Sequence, residues 1–264
     1  MIVRIVLPSV ILPSIEYLRS EMINCATIAR ISRGKRDLLT FQKSEEILRR
    51  ILKMKPFPHE SILEHSKVTI YIRGSRIITH QLVRHRFFSP TQISTRYVQP
   101  KKEVILIDPT LGKEAPFRGN TDDPNWTEIS SLFARYSYQG FNNAEDLRKN
   151  RGWTREQARY LFPPCLAADI IISANFREWR YTISLRDQKN ASPEIQYIFK
   201  RIREYFRLAS PTLLEGVYGE NHDPDELLKE ALDFFESEMG NWPLLVKLRE
   251  YFGTIGKNNG TRKL

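Results

Sequence analysis

Apolar positions along this chain recur in two rhythms, and the helical one dominates. In Pro193–Arg207, the residues Ile195, Ile198, Phe199, Ile202 and Phe206 fall at steps of three and four, which predicts a helix with one buried face. Ile47, Leu48, Ile51 and Leu52 make a similar face over Ser44–Met54, and Pro56 and Pro58 end it. Ser14 is placed to cap a helix reaching about Arg30, and Ser75 to cap one running through Ile77, Ile78, Leu82 and Val83 to about Arg84. Thr154–Tyr160 and a segment within Phe176–Ser184 read as further helices, and helical patterning surrounds Trp126–Tyr138. Asp223-Pro224-Asp225-Glu226 supplies a cap, a proline at the first helical position and an acidic first turn, for a helix to Met239 that stops at Gly240.

The two-residue rhythm is rarer. Met1–Pro8 reads as an opening strand, and Val68–Ile72 as another that Gly74 ends. Pro, Gly, Asn and Asp cluster around residues 109–125, so 101–150 is expected to be an exposed excursion. The basic stretch 257–264 is expected to be a disordered tail. Helices mixed with a few strands give a helix-rich α/β (α+β) class, with residues 1–264 expected to form one domain.

Composition narrows the setting. With 41% hydrophobic and 11% aromatic residues in 264, the chain can fill a core. Apolar stretches such as Ile170–Ala174 fall far short of the roughly 20 residues that span a bilayer. The opening apolar run contains Arg4 and lacks a cleavage pattern, so it does not read as a signal peptide. Cys25 and Cys165 are too few for a disulfide framework or a cysteine metal site. His59, His65, His80 and His85 lack metal-ligand spacing, so no metal is expected; His59 reads as a turn residue. These features describe a cytoplasmic protein with no membrane segment.

Charge then points toward a ligand. Lys and Arg number 41 against 31 Asp and Glu, a formal charge of +10, which favours anionic partners. Arg84, Arg86, Arg96, Arg155, Arg159, Arg177, Arg180 and Arg186 lie inside apolar segments, where guanidiniums need carboxylates or bound anions. The densest chemistry is Gln81-Leu-Val-Arg84-His85-Arg86-Phe-Phe-Ser89-Pro-Thr-Gln92-Ile-Ser94-Thr95-Arg96-Tyr97. Gln81 and Arg84 are spaced to share a helix face, and the hydroxyl and amide groups that follow complement guanidinium forks around a phosphate. The same residues also fit a basic helix end paired with acidic neighbours. On composition alone the two readings stand level.

Arg84-His85-Arg86, seven residues, then Ser94 resembles the signature of the flavin-dependent thymidylate synthases. Ser61-Ile-Leu-Glu64-His65 resembles that family's Thr-Pro-Phe-Glu-His stretch, and Ala158-Arg159-Tyr-Leu-Phe-Pro163 its Ala-Arg-x-x-Leu-Pro stretch. Asn175-Phe-Arg177, Ser184-Leu185-Arg186 and Glu194-Ile-Gln196 follow in the family's order, with weaker support at Ala29-Arg30-Ile-Ser32. The resemblance implies a mixed or antiparallel β-sheet, a homotetramer with subunit-shared sites, and reductive methylation of dUMP to dTMP. FAD is the implied cofactor, with NADPH and methylenetetrahydrofolate as co-substrates. By the same implication Gln81, Arg84, Gln92, Ser94, Thr95, Arg96 and Arg159 hold dUMP. Ser61, Arg84, His85, Arg86, Gln92, Asn175, Arg177 and Tyr181 contact FAD. Arg186 sits against the pyrimidine as the catalytic residue.

Some positions depart from the family pattern. Gln92 stands where Glu is frequent, Thr95 where Gly is frequent, and Arg180 and Tyr181 are unusual beside the flavin. Two other readings compete. A basic nucleic-acid-binding protein would present exposed Lys and Arg along a groove, whereas these arginines sit among apolar residues, so no nucleic acid is expected. Pro163-Pro164-Cys165 superficially resembles the thiol motif of flavin-independent thymidylate synthases, but Leu166 replaces the His that continues it. A buried structural cysteine is the expectation at Cys165.

Overall fold

A computed structural model describes residues 2–98, 103–112, 118–120, 132–217 and 232–234. In chain order the strands are β1 (Ile2–Val6), β2 (Ser9–Ile11), β3 (Val68–Ser75), β4 (Ser89–Gln92), β5 (Glu103–Ile107), β6 (Arg118–Asn120) and β7 (Ala167–Ala174). The α-helices are α1 (Ile15–Ile31), α2 (Phe41–Leu52), α3 (Arg76–Leu82), α4 (Leu132–Arg151), α5 (Arg155–Ala158), α6 (Phe176–Arg186) and α7 (Pro193–Ala209). The chain divides into two compact units, Met1–Pro13 with Lys67–Lys200 and Ser14–Ser66 with Arg201–Leu264.

The first unit holds both sheets. In one, β1 lies between β5, parallel, and β6, antiparallel. Its apolar face packs Val3, Ile5, Val104 and Leu106 with Ala134, Phe141 and Ala144 of α4. Gly140 is needed in α4, because a Cβ there would lie 2.6 Å from the Leu161 carbonyl. The other sheet has the order β2-β3-β7-β4 and is wholly antiparallel. Val68, Ile70 and Ile72 of β3 and Ala168, Ile170 and Ile172 of β7 are buried on one face, as the pleat requires. Trp179 of α6 is fully buried, and its indole N–H donates to the Val68 carbonyl at 3.2 Å. The second unit packs α1 against α2. Leu18, Met22 and Cys25 are buried on α1, and Ile47, Leu48 and Leu52 on α2.

The helix-rich α/β (α+β) class holds, with one mixed and one antiparallel sheet. Helix starts follow the caps: Ser14 accepts from the Tyr17 N–H, Thr40 from Lys43, and Asn175 from Glu178. Thr40 moves the start of α2 ahead of the expected Ser44. Gly74 does not end β3, which continues through it to Ser75. A glutamate explains that continuation. Glu194 accepts from the Ser75 N–H and Oγ–H, each at 2.7 Å, and a Cβ at Gly74 would come within 3.2 Å of its Oε1. Residues 101–150 are not only an excursion, since β5 and all but the last residue of α4 lie within them. Of the 223–240 helix only residues 232–234 are described, and they are helical; the 257–264 tail and residues 126–131 lie outside the described residues. No helix among the described residues is long and apolar enough to cross a membrane.

Replacing Glu194 with Ala strands the Ser75 donors and should cost about 1.5–3 kcal/mol, the usual worth of hydrogen bonds to a charged group. Urea unfolding should show the midpoint falling with an unchanged slope, and Glu194→Gln should recover part of the loss.

Candidate active site

Gln81 occupies the last turn of α3, which closes at Leu82 with Val83 as its C-cap. Arg84 therefore does not share a helix face with Gln81. It lies in the turn beyond, its N–H donating to the Gln81 carbonyl at 3.2 Å, and the His85 N–H donates to Leu82 at 3.2 Å. The chain leaves the helix here because β4 must run extended beside β7. Pro90 is tolerated in β4 because this strand is at the sheet edge.

The turn sorts its side chains by polarity. His85 and Phe88 are buried, while Arg84, Arg86 and Phe87 are exposed. Of the eight arginines expected to be embedded, only Arg180 is buried; Arg159 and Arg186 are half-buried, and Arg84, Arg86, Arg96, Arg155 and Arg177 are exposed. Apolar neighbours in sequence point inward, so the arginines between them point outward.

Past the turn, Gln92 donates its Nε2 to Thr79 Oγ1 at 2.8 Å, and that hydroxyl donates to the Arg76 carbonyl at 3.1 Å. The Thr79 proton is thus committed, which fixes the Gln92 amide with its nitrogen toward Thr79 and its oxygen left as an acceptor. Ser94 Oγ accepts from the Arg96 N–H at 3.3 Å, and the Ser94 carbonyl accepts from Tyr97 and Val98 at 3.2 and 3.0 Å, closing a turn. Thr95 lines a cavity of about 180 Å³ together with the ion-paired Arg73 and Asp169.

The next element brings a second group of arginines to this turn. The Glu156 carboxylate lies 3.6 Å from both Arg96 and Arg159, and Arg155 donates to the Tyr97 carbonyl at 3.1 Å. Arg76 adds a further guanidinium. Its Nη1 is buried without a hydrogen-bond partner, and burial together with the Arg159 charge lowers its pKa. Thr79, Arg76 and Glu156 were not among the expected site residues. Glu156 alone left a sequence trace, three residues before Arg159.

Helix α6 supplies the remaining groups. Asn175 spends its Oδ1 capping the helix, accepting from Glu178 at 2.9 Å, so only its Nδ2 remains to donate to a ligand. Arg177 and Tyr181, one turn apart, are exposed on α6. In the last turn Arg186 Nε donates to His85 Nε2 at 3.0 Å, joining groups 101 residues apart. Burial, then the Arg186 charge, lowers the His85 pKa from 6.5 to about 4. The imidazole is therefore neutral at physiological pH. Ser61 belongs to the second unit. It is exposed on the 3-10 turn Glu60–His65 and lines a cavity of about 270 Å³ with Arg30, Ser32, Arg50 and His59.

Cys165 is half-buried, with Sγ 3.4 Å from Ser137 Oγ, and burial raises its pKa. A thiol held protonated in this way is a poor nucleophile. Among the described residues no group of three or more His, Cys, Asp or Glu is placed to hold a metal ion.

A family model described as thymidylate synthase complementing protein matches residues 15–212, more than half of the chain. The flavin-dependent thymidylate synthase of Corynebacterium glutamicum is 35% identical over 161 residues, covering 59% of this chain and 63% of that protein. The enzyme of the same description from Mycobacterium bovis is 34% identical over 142 residues, covering 52% and 56%. The chain thus spans less than two thirds of the length of these relatives. Among solved structures, the UMP/dUMP methylase PolB of Streptomyces cacaoi bound with 5-Br dUMP aligns with a TM-score of 0.59 at 20% identity, covering 80% of this chain and 95% of that one. A flavin-dependent thymidylate synthase of Helicobacter pylori complexed with FAD and dUMP aligns with a TM-score of 0.54 at 20% identity, covering 75% and 94%. These two likenesses establish the fold.

The depressed His85 pKa makes stability depend on pH. Above 6.5 the ring is neutral in folded and unfolded chains alike and contributes no slope. As pH falls from 6.5 toward about 4 the unfolded chain takes up the proton first, so stability is lost across that window. Urea unfolding at stepped pH should show this loss, and His85→Gln should flatten the curve there.

Proposed function

The chain belongs to the family of thymidylate synthase complementing proteins, and from that premise we propose that it is a flavin-dependent thymidylate synthase. It methylates dUMP reductively to dTMP, taking the carbon from methylenetetrahydrofolate and the hydride from FAD reduced by NADPH. The observation that carries this reading is that Arg96 and Arg159 share the Glu156 carboxylate, with the Arg76 guanidinium close enough to feel the Arg159 charge. Positive charge exceeds negative there, and the buried Arg76 nitrogen has no partner. A phosphate dianion meets both needs.

Gln81, Arg84, Gln92, Ser94, Thr95, Arg96 and Arg159 hold dUMP. Arg96 and Arg159 take the phosphate, which offers them more charge than the carboxylate they share. The fixed amide of Gln92 turns its oxygen to a donor on the nucleotide, doing with a neutral group what a glutamate does with a charged one. The donor chemistry present also suits a dinucleotide. Arg84, Arg86 and Arg177 are exposed cations, and Asn175 keeps one N–H pair. Ser61, Arg84, His85, Arg86, Gln92, Asn175, Arg177 and Tyr181 hold FAD. When bound, the flavin supplies the hydride that completes the methyl group.

Arg186 performs the electrostatic work. Its guanidinium against the pyrimidine favours the ring ionised at N3 and stabilises negative charge as the ring carbon attacks, so no protein nucleophile is required. A neutral His85 holds Arg186 without adding a second charge. We place the enzyme in the cytoplasm, as one catalytic domain in a homotetramer whose subunits share sites, with Arg84 and Arg186 facing ligand across a subunit boundary.

Purified protein should be yellow, or take up added FAD; a colourless protein that binds none would overturn the proposal. Arg186→Ala should slow dUMP-dependent reoxidation of reduced flavin by about 10²–10³-fold while flavin stays bound, as for other lost transition-state donors. Cys165→Ala should keep near-normal turnover, and a dead variant would instead favour thiol chemistry.

A further inference from the structure

Arg186 is held by His85, and His85 is in turn held by groups with no role so far. A guanidinium is always a donor, so the atom receiving Arg186 Nε at 3.0 Å must carry a lone pair. His85 Nε2 is therefore unprotonated, and the proton of the neutral ring resides on Nδ1. That side of the ring faces Thr182 Oγ1 at 3.5 Å and Glu178 Oε1 at 4.0 Å. Thr182 Oγ1 lies 3.4 Å from Glu178 Oε1 and donates to it, which leaves hydroxyl lone pairs toward the ring N–H. Glu178, Thr182 and Arg186 are spaced by four on α6 and form one stripe, against which His85 is laid. Thr182 is fully buried, and Glu178 and His85 are 7% and 8% exposed, so water does not compete for these bonds. Burial also raises the Glu178 pKa while the Thr182 bond lowers it.

We propose that Glu178 and Thr182 are positioning residues for Arg186, acting through His85 by fixing its Nδ1–H tautomer. The opposite tautomer would set the Nε2 proton against the Arg186 Nε proton, two donors face to face, and the guanidinium would swing away. The relay fixes one edge of the fork at Nε and leaves both terminal nitrogens for the pyrimidine. The catalytic part of this inference rests on the function proposed above; the tautomer does not.

The test uses protein labelled with 15N-histidine, the His85 resonances being those lost in His85→Gln. In the wild-type chain His85 should show the Nδ1–H pattern. Thr182→Val, which keeps the shape and removes the hydroxyl, should shift His85 toward Nε2–H, and Thr182→Ser should restore it. In the flavin-loaded protein Thr182→Val should lower kcat for dUMP-dependent flavin reoxidation roughly tenfold with unchanged flavin affinity, a loss of the size seen when a group orienting a working histidine is removed. Thr182→Ser should return kcat to within about twofold, and Glu178→Gln should fall between. An Nε2–H wild-type ring, an unshifted ring in Thr182→Val, or equal impairment of the Val and Ser variants overturns the relay, the last because it reports packing. A protein inert toward dUMP whose His85 tautomer still follows Thr182 would sink the enzymatic reading and retain the relay.

Discussion

The antiparallel pairing of β3 with β7 runs unbroken from Val68 opposite Ala174 to Ser75 opposite Ala167, and the site depends on that register. Each strand feeds a helix directly, β3 into α3 at Arg76 and β7 into α6 at Phe176. Because the strands are antiparallel, the two helices start from opposite ends of the pair. The turn after α3 and the last turn of α6 nevertheless meet, at His85 and Arg186. A slip of one residue would send the buried Ile70, Ile72, Ile170 and Ile172 to the open face, so the apolar pattern fixes the register. The polar contact is located by hydrophobic bookkeeping done elsewhere.

Much of this was legible in the chain itself. Helices α1, α2, α3 and α7 announce themselves by periodic apolar residues or by Ser14 and Ser75 at their starts, and α6 shows only as a helical segment whose Asn175 cap the fold reveals. The strands are less legible for identifiable reasons. Ser89-Pro90-Thr91-Gln92 is polar and holds a proline, so nothing in it alternates; only its neighbour β7 makes it a strand. Ala167–Ala174 is a nearly continuous apolar run, which periodicity cannot assign. Glu103–Ile107 follows a cluster-free stretch too short to read alone and becomes a strand by pairing in parallel with β1.

The site divides along the same line. Arg84, His85, Arg86, Ser94 and Arg186 carry family-like spacing and could be named in advance. Their environment could not. Exposure of Arg84 and Arg86 follows from where the turn faces, and the partnership of Glu156 with Arg96 spans 60 positions that no local pattern connects. Thr79, Thr182 and Glu178 are ordinary helix residues in sequence. They acquire meaning only because a buried hydroxyl must place its proton somewhere, and that placement decides what its neighbour can accept.

The position of β4 at the sheet edge has a consequence for the protein in a crowded cell. An edge strand offers a row of backbone donors and acceptors to any extended peptide. This one is four residues long, polar, and carries Pro90, which lacks the N–H that a docking strand would use. The segment leading into Gln92, Ser94 and Thr95 is thereby a poor template for another strand, and so it stays open to small molecules instead of nucleating aggregates.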